Sequence, residues 1–107
     1  MLYYVAHEFG GKKENVNRAK KITHDLQVSD LENCYICPLM IFSHLEYGEL
    51  GRINEMELCF DVLQNCDSII IASEISSGVR EEIELAKRLG LEVLRLDESG
   101  ELQPFSE

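Results

Sequence analysis

Four short apolar runs divide the chain: "LYYVA" at 2–6, "CYICP" at 34–38, "SIIIA" at 68–72 and "EVLRL" at 92–96. Their near-continuous hydrophobicity, without strict alternation, predicts strands buried on both faces of a parallel sheet. Between the runs, apolar residues recur at helical spacing. The first such segment carries Val16, Ala19, Ile22, Thr23 and Leu26, the second Ile53, Met56, Phe60 and Leu63, and the third Val79, Ile83, Ala86 and Leu89. The order β-α-β-α-β-α-β predicts a small doubly wound α/β domain spanning residues 1–107. It has three layers, flavodoxin-like or Rossmann-like, with four parallel strands in the order 2-1-3-4. The polar tail at 97–107, with a turn at Ser99-Gly100, is expected to fray.

In this topology ligands bind beyond the carboxyl ends of the strands. That rim gathers three loops, "HEFGGKK" after the first strand, "LMIFSHLEYGELG" after the second and "SEISSG" after the third. The second loop is long for a βα connection and carries Phe42, His44, Leu45 and Tyr47. It reads equally as a lid over a ligand and as a subunit interface or fold-back over the core.

The phase of the third helix separates two adjacent acids. With Val79 at zero and about 100° per residue, the apolar residues occupy an arc that includes Glu82 at roughly 300°, whereas Glu81 at roughly 200° points to solvent. A carboxylate on the buried face needs compensation, either from a catalytic environment that tunes it or by reaching past the core to the rim. Ser76, Ser77 and Gly78 ahead of this helix supply hydroxyls and free N–H groups, suited to an anion site or to an ordinary N-cap. Gly10 and Gly11 either let backbone approach a ligand or form a turn, and their spacing matches no dinucleotide or nucleoside-triphosphate motif. His7 reaches the rim as a ligand contact or a hydrogen-bonded loop residue, and Tyr4 lies on the first strand, where a core role is the simpler expectation. Asp67 reads as a turn residue at strand entry, and Asp61 falls on the polar face of the second helix.

Charge and cysteine content narrow the partners. The 107 residues carry 20 acids against 10 Lys and Arg, a formal net charge of -10. A nucleic-acid binder needs clustered cations to neutralise phosphates, so no nucleic-acid partner is predicted and a small ligand is favoured. No run is apolar for the length of a membrane span and no signal-peptide core is evident, which predicts a cytoplasmic protein without a membrane partner. The four cysteines lack zinc-ligand spacing, so no metal is predicted. The pair Cys34 and Cys37 reads as part of a strand, with both thiols buried and inert.

The segments "YVA", "NCDSIIIA" and "SSGVREEIELAKRLGLEVL", the last read as Ser-x-Gly-x-x-x-Glu-x-x-x-Ala followed by a strand, resemble the nucleoside 2-deoxyribosyltransferase superfamily. That superfamily includes the 2'-deoxynucleoside 5'-monophosphate N-glycosidases, and the overall look is closest to its small uncharacterised bacterial and phage members. The resemblance covers nearly the whole chain. It implies that Glu82, four residues after the glycine, is the nucleophile that attacks the anomeric carbon, and that Tyr4 supports it. A serine at the position of Ser76 implies a 5'-phosphate where an aspartate would imply a free 5'-hydroxyl, with Gly10 and Gly11 as backbone contributors. It also implies a homo-oligomer and no cofactor. Two departures stand out: His7 and Glu8 occupy positions where small residues are common, and the family's sugar-binding acid is not matched in register. Cys59 falls at its nearest equivalent, and Asp61 is offered as a substitute. The expected function is therefore N-glycosidic bond cleavage or transfer on a nucleotide or nucleoside, and the alternative is a non-catalytic nucleotide-binding module.

Overall fold

The computed structural model describes residues 1–106. Strands β1 (Leu2–Ala6), β2 (Cys34–Ile36), β3 (Ser68–Ile71), β4 (Glu92–Leu96) and β5 (Leu102–Pro104) form one sheet in the order β2-β1-β3-β4-β5. The first four are parallel and β5 is antiparallel to β4. Helices α1 (Lys13–Ser29), α2 (Pro38–Ile41), α3 (Arg52–Leu63) and α4 (Ser77–Arg88) complete the chain.

Strand alternation sorts the core into two faces. From β1 and β3, Tyr4, Ala6, Ile69 and Ile71 pack with Leu63 of α3 and Val79, Ile83 and Ala86 of α4. Val5 and Ile70 point the other way, against Ala19 and Leu26 of α1, with Leu39 and Met40 of α2 alongside. Both faces of β1 and β3 are therefore covered, which is why their sequences are continuously apolar. Asp67 closes the entry to β3 as a turn residue: its carboxylate accepts the Leu2 N–H at 2.7 Å and its own N–H donates to the Leu2 carbonyl at 2.8 Å.

Several expectations are corrected. The sheet has five strands, not four, because residues 102–104 of the tail pair with β4. Asp97 accepts from the Ser99 hydroxyl and from the N–H groups of Ser99 and Glu101, closing a turn that returns Leu102 against Leu96. Those hydrogen bonds, the Ser99 hydroxyl foremost, hold the Asp97 carboxyl down at about 2. Phe105 then packs on the α3/α4 face of the core, with the Arg95 guanidinium 5.9 Å from its ring centre. Three-residue β5, polar and ending in proline, carries too little hydrophobic signal to be read as a strand. Of the tail, Glu107 lies outside the described residues.

The second strand ends at Ile36, and Pro38 begins the short helix α2, so the long second loop starts with a helical turn. The two thiols differ: Cys37 is buried and pushed up to about 11 by that burial, whereas Cys34 is exposed at the entry of the edge strand. Ile53 is 80 % exposed although it shares the apolar period of α3. Among the described residues, no helix is long and apolar enough to cross a membrane.

Candidate functional site

The N-terminus of α4 follows β3 through the turn Ala72–Ser76, and Ser76 caps it by accepting the Val79 N–H at 3.3 Å. With that start fixed, the helical phase carries Glu82 inward, where only 6 % of it is exposed, while Glu81 and Glu84 face solvent. Tyr4, fully buried on interior strand β1, donates its hydroxyl to Glu82 Oε2. The other carboxylate oxygen has no hydrogen-bond partner among the described residues. It belongs to a side chain that lines a cavity of about 210 Å³ at the carboxyl ends of the strands.

Burial pushes the Glu82 carboxyl up to about 7, Tyr4's hydrogen bond pulls it back, neighbouring Glu81 adds to the rise and Arg52 opposes it. Tyr4 is raised well above its ordinary value, by burial first and then by the Glu82 charge, so it remains a donor. The Cys59 thiol of α3 lies beside this pair and is pushed up to about 11 by burial and by Glu82, so it stays protonated. A single ionisable carboxyl at the floor of the cavity is thereby poised between its two forms near neutral pH.

The same cavity brings together most of the residues singled out from sequence. His7, Gly10, Ser76, Ser77, Gly78 and Glu82 all line it. His7 is 7 % exposed, and its Nδ1 lies 2.8 Å from the Glu8 carbonyl. A carbonyl only accepts, so Nδ1 carries the proton and Nε2 is the nitrogen left for the cavity. Gly10 adopts φ +59, in the left-handed region. Tyr4 acts from below, through Glu82.

Two predicted residues stand apart. Gly11 backs the ring of Tyr47, which a Cβ there would approach to 2.9 Å, and its role is close approach to that ring. Asp61 is exposed on the outer side of α3, away from the cavity lining, because the face of α3 that turns inward carries residues 52, 55, 56 and 59. That face supplies what sequence reading missed: Arg52, Glu55 and Met56 join Cys59 on the cavity wall. Their i, i+3/4, i+7 spacing was a legible signal, masked by the overlapping apolar period through Ile53.

Glu55 also borders a second, apolar cavity of about 180 Å³, walled by Phe9, Leu39, Phe42, Leu45, Tyr47 and Leu58. The two cavities share Phe9, Pro38, Leu39, Tyr47, Glu55 and Cys59 and are therefore adjacent, with His7, Arg52, Glu82, Ser76 and Ser77 on the first only. The long second loop roofs the apolar part, with Phe9 and Tyr47 edge to face at 5.0 Å between ring centres. Among the described residues no three His, Cys, Asp or Glu side chains are grouped to hold a metal ion. No protein-family model matches this chain, and no curated protein matches it significantly.

Proposed function

We infer that this chain cleaves or transfers the N-glycosidic bond of a nucleotide or nucleoside, with Glu82 as nucleophile. The observation that carries this reading is a buried carboxylate, held at one oxygen by a tyrosine, whose other oxygen is left for a cavity that also carries His7 and Arg52 and adjoins an apolar one. In the first step the free oxygen attacks the anomeric carbon, a C–O bond forms and the C–N bond breaks. The base leaves with the bonding electrons and takes up a proton from solvent. In the second step water, or another base, attacks the same carbon and gives up a proton to solvent, the bond from the sugar to Glu82 breaks and the carboxylate is regenerated. Tyr4 fixes the attacking carboxylate, and the apolar chamber suits a planar base. Glu55, and not Asp61, is the second acid on the wall; its two oxygens accept the Gly48 and Leu50 N–H groups at 3.3 Å and tie the second loop over the apolar chamber. The sequence resemblance supports the same reading and a homo-oligomer; the strand order supports a flavodoxin-like relationship, and the lack of a long apolar run in the sequence supports a cytoplasmic setting.

A second reading is a nucleotide-binding module without turnover. It is favoured by the rise of Glu82 to about 7, because a carboxyl protonated half the time at neutral pH is a hydrogen-bonding group as readily as a nucleophile. Incubation with a panel of deoxynucleoside monophosphates and nucleosides, following free base, separates the two. Base release that vanishes in Glu82→Ala supports catalysis. Thermal stabilisation by a nucleotide without release supports binding alone.

A further inference from the structure

Arg52 is the only Lys or Arg among the described residues lining either cavity, and it shares those walls with Glu46, Glu55 and Glu82. In a chain of net charge -10, an anionic ligand entering that space meets repulsion from every ionised wall residue except this one. Arg52 lies at the mouth, its Nη2 donating to Ser77 Oγ at 3.3 Å and to Glu81 Oε2 at 3.4 Å. Both distances are long, and Arg52 and Glu81 are 54 % and 55 % exposed, so the pair is a weak surface contact. It is readily exchanged for a better partner.

Gly78 makes the position available. A Cβ at Gly78 would lie 3.3 Å from Arg52 Nη2, so the bare first turn of α4 lets the guanidinium lie close over it. On another side of the same mouth, His7 presents an unpartnered Nε2, an acceptor suited to a ligand hydroxyl, from a side chain that is 7 % exposed. The N–H groups of the first turn of α4 and the Ser77 hydroxyl lie in the same wall. A guanidinium and a helix N-terminus converging on one opening are complementary to a phosphate monoester.

We propose that Arg52 is the residue that makes this site select a phosphorylated ligand: it leaves Glu81 when the ligand enters and pairs with the phosphate across the first turn of α4. Glu81 is then a competitor that holds Arg52 in the empty site. This rests on the nucleotide reading above, and it gives Arg52 and Glu81 opposite effects, which no purely structural role would produce.

The test is calorimetric titration of the full chain with a deoxynucleoside 5'-monophosphate and with the matching unphosphorylated nucleoside, in a Glu82→Gln background to prevent turnover. Removing a charge-assisted hydrogen bond, Arg52→Gln is expected to weaken monophosphate binding by about tenfold or more and leave nucleoside binding unchanged. Arg52→Lys is expected to restore part of the loss, and Glu81→Gln to tighten the monophosphate by roughly threefold through loss of the competing pair. Equal weakening of both ligands in Arg52→Gln, or an unchanged preference, overturns the assignment of Arg52 while leaving the nucleotide reading intact. Binding of neither ligand before any Arg52 change overturns both.

Discussion

Replacing Glu82 with glutamine makes the energetic cost of the buried carboxyl measurable. The folded chain raises Glu82 from its ordinary 4.5 to about 7, chiefly by burial. A group raised in the folded state contributes stability that is fully present below its unfolded value and is lost as pH climbs through the folded one. The loss amounts to about 3 kcal/mol once the group is ionised, a large share of the stability of a domain this size. Glutamine keeps the shape and can still accept from Tyr4, but it never ionises. Urea unfolding of both proteins at about pH 5 and about pH 8 isolates the difference, since the other titrating groups are common to both and the buried thiols titrate higher. With a slope of about 1.5 kcal/mol per molar urea, the wild-type midpoint is expected to fall by about 2 M relative to Glu82→Gln over that range. Parallel pH dependence in the two proteins would show that Glu82 ionises without penalty, and the electrostatic account of the site would be wrong.

Three further outcomes follow from neighbouring contacts. Tyr4→Phe removes the one hydrogen bond that holds Glu82 down, so the pH at which base release reaches half its maximum is expected to rise by about one unit in a kcat/KM profile; an unshifted profile would separate Tyr4 from the nucleophile. Gly11→Ala places a Cβ at φ +72 and 2.9 Å from the Tyr47 ring, and is expected to cost about 2 kcal/mol or more in denaturant unfolding. Gly10→Ala, at φ +59 with open space around it, is expected to cost about 1 kcal/mol less. Deleting residues 102–107 uncovers the β4 edge and removes the half-buried Leu102 and Phe105, with an expected loss of about 2 to 3 kcal/mol and faster aggregation on warming.

The legible parts of the molecule are those in which one physical signal dominates. Strands β1 and β4 were read to the residue and β3 to within one, because burial on both faces leaves uninterrupted apolar runs. The inward turn of Glu82 was read because α4 has a clean apolar arc and a serine cap that sets its phase. The residues that escaped belong to elements carrying mixed signals. On α3, Ile53 satisfies the apolar period yet lies in solvent, while Arg52 and Glu55 are charged yet face the cavity, so the functional face hides behind the hydrophobic one. Asp61 lies on the polar face of α3, and the rotation of that helix turns Glu55 to the cavity instead. Strand β5 escaped because its pairing depends on the Asp97 turn and on the packing of Phe105, neither of which leaves a periodic trace. Cys34 was misjudged because alternation fixes which way a side chain points and says nothing of whether anything covers it at the end of an edge strand.

The central claim is that Glu82 becomes covalently attached to the sugar. Intact-protein mass spectrometry of the wild type and Glu82→Ala, quenched during incubation with deoxynucleoside monophosphates and 2-fluoro nucleotide analogues that slow the second step, measures this directly. The account predicts a mass increase equal to the glycosyl group, located to the peptide containing Glu82, with release of free base and neither event in Glu82→Ala. Base release by the wild type that persists undiminished in Glu82→Ala, or no adduct and no base from any member of the panel, would contradict it.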